Sequence, residues 1–342
     1  MEQKQHHYIP KCYSKNFTSV EDDLCLRDIW NNKNYAQKPE KALRQQYMYS
    51  QPVHAERRFD NIIENFFSQE IETGWPSLVD AIRNRNNIKK ENWGNLIQFM
   101  IATHVRVPNR MKAIIEALRQ CVVRASESIS DAATADVNAE FRKIYPSPGD
   151  DASLSNLIRS GRIAVNIDPH RAVSSLPYII KNLDSFINIG ENPRFLHNRS
   201  NVDFISSDNP VVFHNRTNAI EKIVPFSYST TESWELIFPI TSKVALFMQS
   251  DSSIRDQHRE TFSAKTVQRI NTKVALYADR HIFASSASHF PEWRENLQQC
   301  PIPKADECLT EDGLVYRLKY EWGAPLEGRE NWEYDFNRSE SR

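Results

Sequence analysis

The chain has 342 residues, 40% hydrophobic and 25% charged, with 43 basic against 44 acidic residues. That length allows one large domain or two ordinary ones around a sizeable core, and a formal net charge of −1 provides no global field to recruit nucleic acid or an anionic membrane. With 8 glycines and no G-x-G-x-x-G, G-x-x-x-x-G-K-[ST] or G-x-S-x-G, the ordinary Rossmann, P-loop and serine-hydrolase sites are excluded.

In chain order, the first thirty-odd residues read as strands, with Leu24 and Leu26 alternating with polar residues and Asn31 to Asn34 as a hairpin turn. A linker with Pro39 and Pro52 leads to a helix whose stripe is Phe59, Ile62, Ile63, Phe66 and Phe67. A second helix follows Pro76. The best-patterned helix begins near Asn92, with Trp93, Leu96, Ile97, Met100, Ile101 and His104 on one face, and Pro108 breaks or kinks it. Met111 to Arg124 continues helically, and residues 126–152 read as a loop or a short helical insertion. A helix around 171–183 then feeds strands at Arg194–His197, Val202–Ser206, Val211–His214 and Trp234–Gln249, the last interrupted at Pro239. Ala264 to Ala278 returns to helix and His281 to Ala284 is a final strand.

The expected fold class is therefore α+β. Strands from the N-terminus and the C-terminal half form a mixed or antiparallel sheet, with a helical block inserted between them. The organisation is one domain over 1–300, with the helical insertion at about 55–185, and an irregular charged tail over 301–342. Five cysteines without a C-x-x-C pair suit a reduced, cytoplasmic chain. No apolar run approaches membrane-spanning length.

Two polar runs stand out. Gln5-His6-His7-Tyr8-Ile9-Pro10-Lys11 places two imidazoles on opposite faces of an extended segment, so one of them enters any given site. That imidazole could act as base, metal ligand or phosphate donor, or make structural hydrogen bonds. Such a terminal run should be held by a later element, and the candidate is Ser206-Ser207-Asp208-Asn209-Pro210. Pro210 breaks its strand, so Asp208 is either an acid/base or ligand group or the acceptor of an Asx-turn. The candidate catalytic residues are His6, His7, Asp208 and Asn209. Candidate ligand-binding residues are Tyr8, Lys11, His104, Asn271 and Arg280; the structural alternative is a core role for His104 and capping or backbone support for Asn271 and Arg280. The pattern assigns no metal and no cofactor. Lys89, Lys90, Arg106, Arg110, Arg119 and Arg124 could line one helical surface for nucleic acid, and a protein partner is the other open possibility.

Taken together, the opening run with Asn16 and Phe17, the run Ile205 to Val211, the segment Phe238 to Leu246 and the stretch from Val267 through Asn271 to Phe283 resemble domain-of-unknown-function family 4238. Cys12 and Ser14 depart from its pattern at packing positions. The resemblance implies an accessory protein of bacteria, associated with mobile elements or phage defence, and no assigned reaction. Two readings stand: a sensor or interaction component, or a hydrolase, with phosphodiester bonds as its candidate substrate, using His7 and Asp208. A third is that both runs lock the N-terminal strand onto the central sheet.

Overall fold

Leu24 and Leu26 lie, in the computed structural model of the protein, on β2 (Leu24–Asp28), which turns back antiparallel into β3 (Lys33–Gln37). Asn32 takes the left-handed step of that turn at φ 47°, a conformation asparagine tolerates better than most residues. The structure describes residues 5–53, 58–132, 143, 157–158, 160–186, 194–215, 224–225, 234–249, 257–292, 300–310 and 313–323. With β14 (His281–Ala284) and β8 (Ser206–Ser207), this hairpin builds a four-stranded antiparallel sheet in the order β3-β2-β14-β8.

A larger, six-stranded sheet has the order β10-β9-β11-β12-β7-β13. Its strands are β7 (Arg194–Asn198), β9 (Val212–Asn215), β10 (Val224–Pro225), β11 (Trp234–Thr241), β12 (Val244–Gln249) and β13 (His258–Thr261). Neighbours are antiparallel except β13, which runs parallel to β7. Pro239 does not interrupt β11; the register with β12 shifts between Pro239 and Thr241, a bulge that accommodates a residue unable to donate to the ladder.

The helical block comprises α2 (Ile62–Phe66), which continues as a π-helical turn over Phe67–Ile71, then α3 (Trp75–Arg83), α4 (Lys90–Val105), α5 (Pro108–Ala132), α6 (Pro169–Ser174) and α7 (Leu176–Phe186). Before it lie α1 (Lys11–Ser14) and the short strands β1 (Gln5–His7), paired with β4 (Arg44–Gln46), and β5 (Gln51–Val53), paired with β6 (Arg58–Asp60). Phe59, expected on the helical stripe, is on β6 because Asp60 Oδ1 accepts from the Ile62 amide at 3.2 Å and starts the helix one residue after Asn61. α5 runs on to Ala132, past the expected start of the loop, and nearly all of 133–152 lies outside the described residues.

Strand alternation gives the six-stranded sheet two apolar faces. Phe195, Leu236, Phe238, Leu246 and Met248 share a core with Leu96, Phe99 and Met100 of α4. Val212, Ile237 and Ala245 on the other face pack against Val267, Ile270 and Val274 of α8 (Ala264–Tyr277). The fold is α+β. Residues 301–342 are not uniformly irregular as expected: β15 (Cys300–Thr310) and β16 (Gly313–Gly323) form an antiparallel hairpin. Its second strand carries Leu314, Tyr316, Leu318, Tyr320 and Trp322 at alternate positions, a period-2 signal masked by the charges between them. Among the described residues, no helix is long and apolar enough to cross a membrane.

Candidate functional site

The opening run docks through its aromatic residues. The Tyr13 hydroxyl donates to the Pro239 carbonyl at 2.6 Å and lies 2.7 Å from Ser206 Oγ, which is left to donate in return. Tyr13 and Phe17 are fully buried, Phe17 packs edge-on to Phe283 with centroids 5.5 Å apart, and the Ser242 amide donates to the Asn16 carbonyl at 3.0 Å. The expected link between the two polar runs is thus made by Tyr13 and Ser206.

The histidines have other partners. Buried His6 accepts the Tyr49 amide on Nδ1 at 2.9 Å and stacks on the Tyr49 ring. His7 Nε2 faces the Pro39 carbonyl at 3.2 Å, and burial, joined by the charge of Arg106, pushes its pKa down. Asp208 hydrogen-bonds neither of them. Its Oδ1 accepts the Asp279 amide at 2.8 Å, and its Oδ2 accepts the amides of Arg280 at 2.9 Å and His281 at 2.8 Å. The member of the opening run that senses the Asp208 charge is Tyr8, whose hydroxyl is held un-ionised first by burial and then by that carboxylate.

The remaining candidates tie backbone together or point elsewhere. Asn209 Nδ2 donates to the Tyr277 carbonyl at 2.9 Å. Asn271 accepts the Ile205 amide at 3.1 Å and donates to the Asp203 carbonyl at 2.8 Å and the His289 carbonyl at 3.2 Å. The Arg280 guanidinium binds Asp28 Oδ2 through Nε at 3.0 Å and Nη2 at 2.9 Å. Burial would raise the Asp28 pKa, but the Arg280 and Asn31 hydrogen bonds outweigh it and hold it low. Lys11 is exposed. His104 Nδ1 is buried on α4 without a hydrogen-bond partner, and burial, then the Arg110 charge, push its pKa well below the usual range. The basic helical surface does not form as expected, since Arg106 and Arg110 are buried. Arg106 turns inward to donate to the carbonyls of Tyr8 and His7, both at 3.1 Å, and to Glu72 at 2.8 Å.

A different set of residues lines a cavity of ≈ 290 Å³ between α8 and one face of the six-stranded sheet. Arg194 on β7 lies opposite Phe247 on β12, and Leu196 lies opposite Arg259 on β13, so strand register alone puts these four on one face. Across from them, Thr266, Arg269, Ile270 and Lys273 follow the 3.6-residue period along α8. Arg194 is 7% exposed, and its Nη2 is buried without a hydrogen-bond partner. Burial and the neighbouring charge of Arg259 both lower its pKa. Glu235 at the cavity wall is paired with Lys273 and accepts from His214 Nε2 at 3.1 Å. Burial would raise its pKa, yet the His214 hydrogen bond and the Lys273 charge hold it below the usual carboxylate range.

The sequence model of the family described as "Protein of unknown function (DUF4238)" matches residues 5–288. The chain belongs to this family. No curated protein and no solved structure matches it. In DUF4238 terms, both polar runs and every cavity residue fall inside the matched span, whereas the β15–β16 hairpin lies beyond it. The cavity was missed in sequence because its arginines sit singly on separate strands. The legible signal was Arg269 and Lys273 flanking Ile270 on the inward face of α8. Among the described residues, no group of three or more His, Cys, Asp or Glu side chains could hold a metal.

Proposed function

We propose that this protein is a ligand-binding sensor whose ligand is a small organic anion seated between the six-stranded sheet and α8. The observation that carries the reading is Arg194, a cation buried in the cavity wall with Nη2 unpartnered. Leaving such a donor unsatisfied costs about 1–3 kcal/mol and more for a charged group, so an anion that meets it recovers that cost. Arg259 and Arg269 add positive charge, and Leu196, Phe247 and Ile270 supply apolar wall for an organic body. This gives a sensor component of an accessory system something to sense. Hydrolysis by His7 and Asp208 has no comparable support, because the two side chains are held by different partners.

The test is thermal unfolding with inorganic phosphate, citrate, benzoate and phenyl phosphate on the wild-type chain, Arg194→Leu and Arg269→Ala. A ligand at a hundred times its Kd should stabilise the wild-type chain by about 2.7 kcal/mol. Both variants should lose most of that shift. No shift with any anion, or equal shifts in the arginine variants, removes the reading.

A further inference from the structure

The cavity carries more positive charge than one carboxylate would neutralise. Lys273 is already paired with Glu235. Glu260, also in the wall, is held by Arg85 and Arg199, neither of which lines the cavity. Arg194, Arg259 and Arg269 therefore face the space with no carboxylate of their own among the described residues. Two of them, Arg194 and Arg259, repel one another closely enough to lower the Arg194 pKa.

We propose that the cavity selects a phosphomonoester dianion over singly charged anions, an inference that rests on the anion-site reading above. A dianion offers three terminal oxygens to guanidinium forks that match phosphate geometry. It relieves the Arg194–Arg259 repulsion, whereas a monoanion leaves cationic charge uncompensated in a half-enclosed site. Thr261 and Thr266 line the same space with side chains able to donate, and Leu196, Phe247 and Ile270 give apolar wall for a ring. At ≈ 290 Å³ the cavity is at the small end of ligand pockets, so the body attached to the phosphate is about one ring in size.

Phenyl phosphate, phenyl sulfate and benzoate share one ring and differ in charge and head-group shape. Calorimetric titration at about 0.15 M salt, where exposed charges are screened, should give phenyl phosphate a Kd roughly ten-fold or more below the other two. Arg269 is exposed on α8, so Arg269→Ala should fold normally and bring phenyl phosphate to within a few-fold of phenyl sulfate. Equal affinity for all three ligands overturns the dianion inference while leaving the anion site standing. A phenyl phosphate preference kept in Arg269→Ala while all three affinities fall together also overturns it, whereas unchanged affinities in that variant remove the anion site as well. No binding of any of the three removes both.

Discussion

Asp208 shows how much one side chain can hold. Its two carboxylate oxygens collect three backbone amides from Asp279 to His281, the junction between α8 and β14. Charge-assisted hydrogen bonds of this kind contribute about 1.5–3 kcal/mol. Asp208→Asn replaces one acceptor oxygen with an NH2 group aimed at amides that also donate, so it should destabilise by about 2–3 kcal/mol in urea unfolding. A catalytic Asp208 would instead tolerate the change; an unshifted midpoint would favour that role. The sequence showed a polar run at a proline-broken strand, and the Asx-type alternative was open there. The partners, some seventy residues downstream, were not legible, because a carboxylate's role depends on which amides converge on it. Arg106 was misread for the same reason: a cation on a helix is usually solvated, and this one is drawn inward by two carbonyls and Glu72.

Between elements, the β7–β13 pairing is held partly by a histidine pair. His258 Nε2 faces the Asn86 carbonyl at 3.2 Å, so it carries the proton, and His258 Nδ1 accepts from His197 Nε2 at 2.9 Å. Both rings are neutral in this arrangement. Burial, then the charge of a protonated His258, pushes the His197 pKa from 6.5 to about 4, and burial lowers that of His258 as well. A base whose folded pKa is depressed contributes stability that is complete above its unfolded pKa, and the unfolded chain binds more protons below it. Stability from this pair is therefore full above pH 6.5 and lost as pH falls toward about 4. The urea midpoint should drop between about pH 7.5 and about pH 5, and the drop should be smaller in His258→Phe, which keeps the packing on Phe195. An identical drop in both proteins would sink this account. At the same scale, α3, α4 and α8 were legible from their 3.6-residue periods, whereas β13 was not, since His-Arg-Glu-Thr carries no apolar alternation.

At the scale of the whole molecule, the α+β class followed from the order of helical and extended stretches, but the sheet order did not. β9, β11, β12 and β7 are neighbours in an order set by which faces must be buried between α4 and α8, and the cavity exists only once those layers have met. The β15–β16 hairpin stands in a different relation to the fold. A two-stranded hairpin is marginal alone, and this one packs on α5, α8 and β10 through contacts that include buried Ile302 and Trp322 edge-on to Tyr277 at 5.4 Å. Among the described residues, both core clusters are built almost wholly from positions before 292. Deleting everything after residue 292 should therefore leave a cooperatively folding body. Among the described residues, the loss includes the burial of Ile302, about 1.5–3 kcal/mol, and the Tyr277–Trp322 ring pair, about 0.5–1.5 kcal/mol. Scanning calorimetry should show one transition at a lower Tm, with the anion-induced shift retained because, among the described residues, no cavity residue lies beyond Lys273. A truncated chain with no cooperative transition would instead make the hairpin part of the core, and the fold would then extend beyond the family's span.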